Sequence, residues 1–184
     1  MLDLRRRWDC AWDPAMRPVG EGDHQKEPFE AWWDRWGERL GHLDPRVAEQ
    51  WIYRHWHHSY MSFLDLEPIN WRLESWPGDR ILSDIHPEFG GPMAAENDYA
   101  AFNGGAFGPI ATARAMNTGT WDMPLLVLQT PKGILSERGE LPHIRYVVAE
   151  GSKRMRYLNA LRHRGQGEGP HELFLLSTPQ AASG

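Results

Sequence analysis

The sequence predicts a domain of the α/β (α+β) class, in which a small mixed sheet is preceded by a tryptophan-rich helical hairpin. Apolar residues recur at helical spacing up to about residue 60. From Met61 onward, short apolar runs alternate with loops rich in Gly and Pro. We therefore expect a helical N-terminal extension at residues 1–60, an α/β domain at 61–178 and a disordered tail at 179–184.

Two segments predict the helical hairpin. EPFEAWWDRWGERLG opens with Pro28 at a first helical position, spaces its tryptophans along one face and stops at Gly41. DPRVAEQWIYRHWHH repeats this pattern after the capping residue Asp44. His55 and His58 share a face there, but without a second ligand cluster we favour packing or a solvated face over a metal pair. The hairpin either packs onto the domain or offers a surface to a protein partner or a homodimer.

Five apolar runs predict the strands: MSFLDLEPI, DRILSDI, MPLLVLQT, HIRYVVAE and HELFLLS. Between the second and third, AENDYAAFNGGAFGPIATARAMNTG predicts a helix that ends at Gly119. Its glycine-rich part, FNGGAFGPI, lacks the lysine and Ser/Thr of a P-loop, so we interpret it as a loop or lid.

Composition limits the class of protein. The formal net charge of −5 argues against a protein that coats duplex DNA with its whole surface, although a local basic patch remains compatible with it. Hydrophobic residues make up 41% of the chain without an apolar run approaching 18 residues, so we expect no membrane span. The single cysteine and the absence of an apolar stretch after the first arginines favour the cytoplasm.

The stretch VVAEGSKRMRYLNAL predicts an anion site. An apolar strand ends at Glu150, Gly151 permits a tight turn, and a helix starts at about Ser152. The free N–H groups and the positive dipole end of that helix then lie beside Lys153 and Arg154. Such an arrangement suits phosphate, although strand–Gly–helix junctions and basic helix faces are common without a ligand.

The segment YVVAEGSKRMRYLNALRHRG resembles the ParB N-terminal domain and its sulfiredoxin-fold relatives, in which a strand ends in a Gly-x-x-Arg turn before a helix. Two further segments stand in the expected order. FLDLEPINWRLE resembles the opening strand and loop of that family at Leu66, Pro68 and Arg72, and ARAMNTGTWDMPLLVL resembles the helix, glycine and strand before the motif. The resemblance covers about residues 61–178 and implies a sheet with helices of the ParB/sulfiredoxin type.

The resemblance also implies a nucleotide-binding function. The ligand would be a nucleoside triphosphate, ATP or CTP, with Mg²⁺, and hydrolysis would be compatible with the site. The TGTWDMP turn would lie near its base or sugar, and Arg72 would reach the phosphate pocket from the opening strand. The residues expected to bind the nucleotide are Gly151, Ser152, Lys153, Arg154, Arg72, Gly119, Thr120 and Pro124.

Two alternatives remain open on the same scaffold. A nuclease or phosphotransferase would use Glu150 as a metal ligand or base and a nucleic-acid patch of Arg156, Arg162 and Arg164. An interaction module would use the hairpin and carry only a vestigial nucleotide site. Sulfiredoxin activity is not expected, because Ser152 stands where that enzyme needs a cysteine.

Overall fold

The computed structural model describes residues 1–20, 25–56, 58–89, 91–106 and 108–183. It is an α+β fold, which confirms the predicted class. The strands are β1 Leu2–Asp3, β2 Asn70–Trp76, β3 Ile85–His86, β4 Leu125–Gln129, β5 Ile134–Ser136, β6 Gly139–Leu141, β7 Tyr146–Glu150 and β8 His171–Ser177. The α-helices are α1 Phe29–Leu40, α2 Pro45–Val47, α3 Gly78–Asp84, α4 Ala95–Asn103, α5 Ala111–Met116, α6 Ser152–Arg162 and α7 Pro179–Ser183. Two 3₁₀ helices cover Leu4–Trp8 and Pro14–Met16, and α2 continues into a π-helix at Ala48–Tyr53.

A five-stranded mixed sheet lies at the centre, in the order β2-β8-β4-β7-β3. Strand β8 is antiparallel to β2 and parallel to β4, β4 is antiparallel to β7, and β7 is parallel to β3. A smaller sheet has the order β1-β5-β6. Strand β7 pairs with the central strand β4 as far as its C-terminal residue Glu150. This pairing fixes the position at which the turn after Glu150 begins.

The central sheet is covered on both faces, as the alternation of side chains along β4 shows. Leu126 and Leu128 pack into a cluster with the tryptophan-rich N-terminal segment, whereas Leu125 and Val127 pack into a second cluster with α6. One hydrophobic cluster thus crosses the boundary that the sequence suggests near residue 60. Continuous apolar runs such as LLVL are expected for a strand that is buried on both sides.

The predicted helical hairpin is present, with α1 as its first arm and α2 with its π-helical continuation as its second. Trp32 and Trp51 are fully buried. The Trp32 indole N–H donates to the carbonyl oxygen of Met16 at 2.6 Å, and that of Trp51 donates to Ser59 Oγ at 2.8 Å. Burial of these large rings with their polar atoms satisfied makes the hairpin part of the core.

Several local predictions are wrong. DRILSDI forms α3 up to Asp84, and only its last residue, Ile85, begins a strand, because Pro77 precedes the helix and Asp79 lies in its first turn. MSFLDLEPI contains no strand among its residues, and β2 begins only at Asn70. The long helix predicted up to Gly119 is two helices, α4 and α5, separated by the glycine-rich loop.

The C-terminal segment differs from the disordered tail that we expected. Pro179–Ser183 forms the short helix α7, and its Ala181 is fully buried in the N-terminal cluster. Gln180 accepts a hydrogen bond from the backbone N–H of Asp65 at 2.9 Å. Proline at the first helical position favours such a turn. Gly184 lies outside the described residues. No helix in the described ranges is long and apolar enough to cross a membrane.

Candidate anion-binding site at the Gly151 turn

The turn between β7 and α6 requires glycine. Gly151 has a φ of 110°, in the left-handed region that other residues rarely adopt. A Cβ atom at this position would also lie 2.5 Å from Leu125 Cδ1 and 2.8 Å from Arg154 Nη1. The missing side chain therefore allows the Arg154 guanidinium to lie directly against the backbone of the turn.

Arg154 is a buried cation with few partners. The residue is 8% exposed, and its Nε lies 3.5 Å from Asp122 Oδ1, at the limit of a hydrogen bond. Its Nη1 is buried and has no hydrogen-bond partner among the described residues. Burial lowers the pKa of the Arg154 guanidinium, while the charges of Asp122 and Glu150 oppose that shift. Arginine nevertheless keeps its charge in proteins, so the site holds an incompletely compensated positive charge.

This guanidinium lines a cavity of about 350 Å³ at the N-terminus of α6. Asp122 and Thr112 line it from the segments before β4, and Arg54, which follows the π-helical segment, lines it as well. π-Helical turns occur frequently at functional sites. The remaining lining residues are His55, His58, Tyr60, Phe89, Ala149, Glu150, Gly151, Ser152 and Lys153.

The N-terminus of α6 supports the same electrostatics. The helix is 11 residues long, and no side chain caps its N-terminus. Its dipole therefore places partial positive charge beside the cavity. The Ser152 hydroxyl does not cap the helix, since it donates to the carbonyl oxygen of Phe89 at 3.1 Å. Lys153 is exposed and adds a formal charge.

The carboxylate of Glu150 binds to groups of this turn and of the hairpin. Its Oε1 accepts a hydrogen bond from the Gly151 N–H at 2.8 Å and lies 3.6 Å from His55 Nε2. In the described part of the chain, no group of three or more His, Cys, Asp or Glu side chains is arranged to hold a metal ion. The role of Glu150 as a base or metal ligand stays a prediction.

The structure brings together four of the predicted nucleotide-binding residues, Gly151 to Arg154, and separates the others from them. Arg72 lies on β2, which two strands separate from β7, and pairs with Glu74 on its own strand. It therefore does not reach the cavity, contrary to expectation. Gly119, Thr120 and Pro124 are also not among the described lining residues.

The predicted nucleic-acid patch is not a free basic surface. Arg156 Nε donates to Asp98 Oδ1 at 2.9 Å, Arg162 Nε donates to Asp79 Oδ1 at 2.7 Å, and Arg164 pairs with Glu96. Each arginine thus faces an acid from α3 or α4. These pairs neutralise the face of α6 that the local sequence presents as basic.

The structure adds lining residues that sequence reasoning did not assign to the site. Asp122 lies within TGTWDMP, between Thr120 and Pro124, which the sequence analysis assigned to the nucleotide site. This position in the sequence is the feature from which Asp122 could have been predicted. Arg54, His55 and His58 come from RHWHHSY, for which the sequence favours packing or a solvated face over a metal pair. Tyr60 had no local signal, because its approach to the turn depends on the packing of the hairpin.

Thr120, which is exposed, contacts the buried His171 instead of the cavity. The His171 ring is fully buried, with Nδ1 2.9 Å from Thr120 Oγ1 and Nε2 3.1 Å from the Gly167 carbonyl oxygen. Burial lowers the pKa of His171 below its ordinary value of 6.5. The folded protein therefore holds this ring neutral at a pH where the unfolded chain already binds a proton.

We expect His171 to make folding stability depend on pH. The contribution of the neutral His171 ring to the free energy of unfolding is complete above about pH 6.5. It is lost as the pH falls from there toward the pKa of His171 in the folded protein, by up to about 1.4 kcal/mol per pH unit. Urea unfolding of wild type and His171→Gln at pH 7.5 and 5.5 measures this pH dependence. His163→Gln is the control, because His163 is exposed. An equal pH dependence in all three proteins would contradict the assignment.

The resemblance to the ParB N-terminal domain can be compared with this geometry. The strand, the left-handed glycine and the helix with Arg154 in its first turn are all present. Arg72, part of the same resemblance, lies elsewhere. Comparison with protein-family models, with curated proteins and with solved structures finds no match to this chain, so the resemblance stays a prediction.

Proposed function

We propose that the protein binds a nucleotide through its phosphates at the Gly151 turn. The observation that carries this proposal is the buried Arg154 Nη1, which lacks a hydrogen-bond partner among the described residues and belongs to a side chain that lines a cavity. A buried charged group without its hydrogen bonds costs at least about 1–3 kcal/mol. A phosphate oxygen in the cavity would supply the missing acceptor and the missing charge.

The surroundings of Arg154 favour an anion with several acceptor oxygens. The uncapped N-terminus of α6 presents backbone N–H groups, and Lys153 adds a second cation at the same helix turn. Charge-assisted hydrogen bonds from guanidinium and backbone N–H groups are the usual means of holding phosphate. Glu150 occupies one of these donors, the Gly151 N–H, and a phosphate would displace its carboxylate toward His55.

A cavity of about 350 Å³ is larger than a single phosphate requires and falls in the range of small-molecule sites. Together with the resemblance of the Gly-x-x-Arg turn, this size favours a nucleotide over inorganic phosphate. The proposal concerns binding. Turnover of the nucleotide would need, in addition, a base or metal at Glu150, and that carboxylate is engaged by the turn itself.

Calorimetric titration of ATP, CTP, GTP and ADP with Mg²⁺ tests the proposal. We expect at least one nucleotide to bind wild type with micromolar affinity and Arg154→Met to weaken that binding roughly 10- to 150-fold, because a lost charge-assisted bond costs about 1.5–3 kcal/mol. Arg162→Met is the matched control, since Arg162 lies on the same helix but pairs with Asp79. It should bind like wild type.

Stability separates a functional Arg154 from a structural one. Removal of an incompletely paired buried charge should leave the free energy of unfolding within about 1 kcal/mol or raise it, because the desolvation cost disappears. If Arg154→Met instead unfolds the protein, Arg154→Lys provides the second test, since lysine keeps the charge but cannot reproduce the planar fork. Equal nucleotide affinity in wild type and both variants would overturn the proposal.

A further inference from the structure

The cavity at the Gly151 turn belongs to a longer groove. It shares Arg54 and His55 with a second cavity of about 350 Å³, which Lys26 and Tyr53 complete. On its other side it shares His58 and Tyr60 with a third cavity of about 360 Å³. The three cavities therefore lie in series along the surface, with the phosphate site in the middle.

Each cavity pairs cations with aromatic rings. In the second cavity, Lys26 Nζ lies 5.9 Å from the centroid of the Tyr53 ring. In the middle cavity, the Tyr60 ring stacks on Phe89, with centroids 4.8 Å apart and an interplanar angle of 25°. The third cavity contains Arg7 and Trp8, whose guanidinium carbon and ring centroid are 5.2 Å apart. This repetition of charge and ring matches the repetition of phosphate and base in a nucleic-acid strand.

The groove is basic although the protein is acidic. The described residues that line the three cavities include two acids, Asp122 and Glu150, whereas the whole chain has 25 acids against 20 Lys and Arg. From outside the lining, Glu49 pairs with Arg54, and Glu137 lies 3.7 Å from Arg7. Counted with these two acids, the groove still has five cations against four acids, so its local charge is opposite in sign to that of the molecule, which suits a polyanion. Its lysines and arginines are Arg7, Lys26, Arg54, Lys153 and Arg154.

Two aromatic side chains of the groove remain exposed. Trp8 is 76% exposed and is the most exposed large hydrophobic residue described, and Tyr60 is 42% exposed. Their rings meet edge to face, with centroids 6.2 Å apart. Arg7 beside them has a buried Nε without a hydrogen-bond partner among the described residues, and its Nη2 lies 3.7 Å from Glu137 Oε1, too far for a hydrogen bond. The exposed rings and the unsatisfied guanidinium both gain from a ligand with bases and phosphates.

We propose that the ligand of this groove is a single-stranded nucleic acid. This inference rests on the proposed phosphate site: one internucleotide phosphate lies at Arg154, and bases of the neighbouring nucleotides stack on Tyr60 and Trp8. A mononucleotide fills only one of the three cavities. A duplex keeps its bases stacked within itself and does not offer their faces to the two rings.

Fluorescence anisotropy with a labelled 12-nucleotide oligothymidine, the matching oligouridine and a duplex of the same length tests the inference. We expect a single strand to bind more tightly than the duplex and more tightly than the mononucleotide. Trp8→Ala and Tyr60→Ala should each weaken single-strand binding by about 5- to 100-fold, the range measured for loss of one base–aromatic stack. Trp71→Ala, an exposed tryptophan on β2 outside the groove, should change it less than twofold.

The outcomes separate the two proposals. One outcome is mononucleotide binding that depends on Arg154, while Trp8→Ala and Tyr60→Ala do not change the binding of any oligonucleotide. This outcome would overturn the proposal that the groove binds a single strand and would leave the proposed phosphate site intact. Single-strand binding that depends on Trp8 but is unchanged in Arg154→Met would overturn the phosphate site instead. No binding of mononucleotide or oligonucleotide would overturn both. The comparison of oligothymidine with oligouridine shows whether the groove prefers DNA or RNA.

Discussion

Replacement of Trp51 by alanine should lower the free energy of unfolding by about 3–5 kcal/mol, the usual cost of removing a buried tryptophan. Trp51 is fully buried in the cluster that also contains Leu126 and Phe174 of the central sheet. Its ring packs edge to face against Trp12, with centroids 5.6 Å apart. The substitution would leave a large cavity under the sheet and would remove the N–H that Ser59 Oγ accepts.

Urea unfolding measured by circular dichroism provides this number. Trp8→Ala is the control, because a side chain that is 76% exposed should contribute less than about 0.5 kcal/mol. A small and equal effect of both substitutions would mean that the hairpin is not part of the core. The described large hydrophobic side chains that are exposed all lie outside the hairpin: Trp8, Val19, Tyr60, Trp71 and Leu73.

Gly151→Ala should lower the free energy of unfolding by about 2–5 kcal/mol. The left-handed backbone alone costs about 1–2 kcal/mol for a residue with a Cβ atom. The new methyl group would also collide with Leu125 Cδ1 and Arg154 Nη1, and overpacking of this kind costs about 1–3 kcal/mol. The collision should in addition displace the guanidinium, so we expect nucleotide binding to be lost with the stability.

Gly139→Ala separates the two contributions. Gly139 has a φ of 103°, close to that of Gly151, but nothing lies within 4 Å of an added Cβ atom. Its substitution should therefore show the backbone cost alone, about 1–2 kcal/mol, and leave nucleotide binding unchanged. Thermal unfolding of both variants with and without nucleotide compares them. A Gly151→Ala variant no less stable than Gly139→Ala would contradict the close approach of Arg154 to the turn.

The strand, glycine and helix of the site were predictable because each depends on neighbouring residues. Continuous apolar runs marked β4 and β7, and Gly151 between a strand and basic residues marked the turn. Local signals of this kind also gave the hairpin, through Pro28 and Asp44 at the helix starts. They failed for α3, where a seven-residue segment with three apolar residues, DRILSDI, fits a strand and a short helix equally well.

Features that depend on distant residues were not predictable. The acids that neutralise Arg156 and Arg162 stand 58 and 83 positions away in the sequence, so the local run of arginines suggested a free patch. Arg72 was placed near the phosphates by resemblance, but the strand order puts β8 and β4 between it and β7. Tyr60 and Arg54 reach the site only because the hairpin packs against the sheet.

The most direct measurement of the phosphate site is a ¹H–¹⁵N NMR titration with the nucleotide that binds most tightly. It resolves both the backbone N–H groups of the turn and the Arg154 side-chain Nε–H. We predict the largest shifts at Gly151, Ser152, Lys153 and Arg154, because the Gly151 N–H would exchange Glu150, and the Arg154 Nε–H its long contact with Asp122, for phosphate oxygens. Shifts that are confined to other parts of the chain, such as the face of α6 that carries Arg162, would contradict the account.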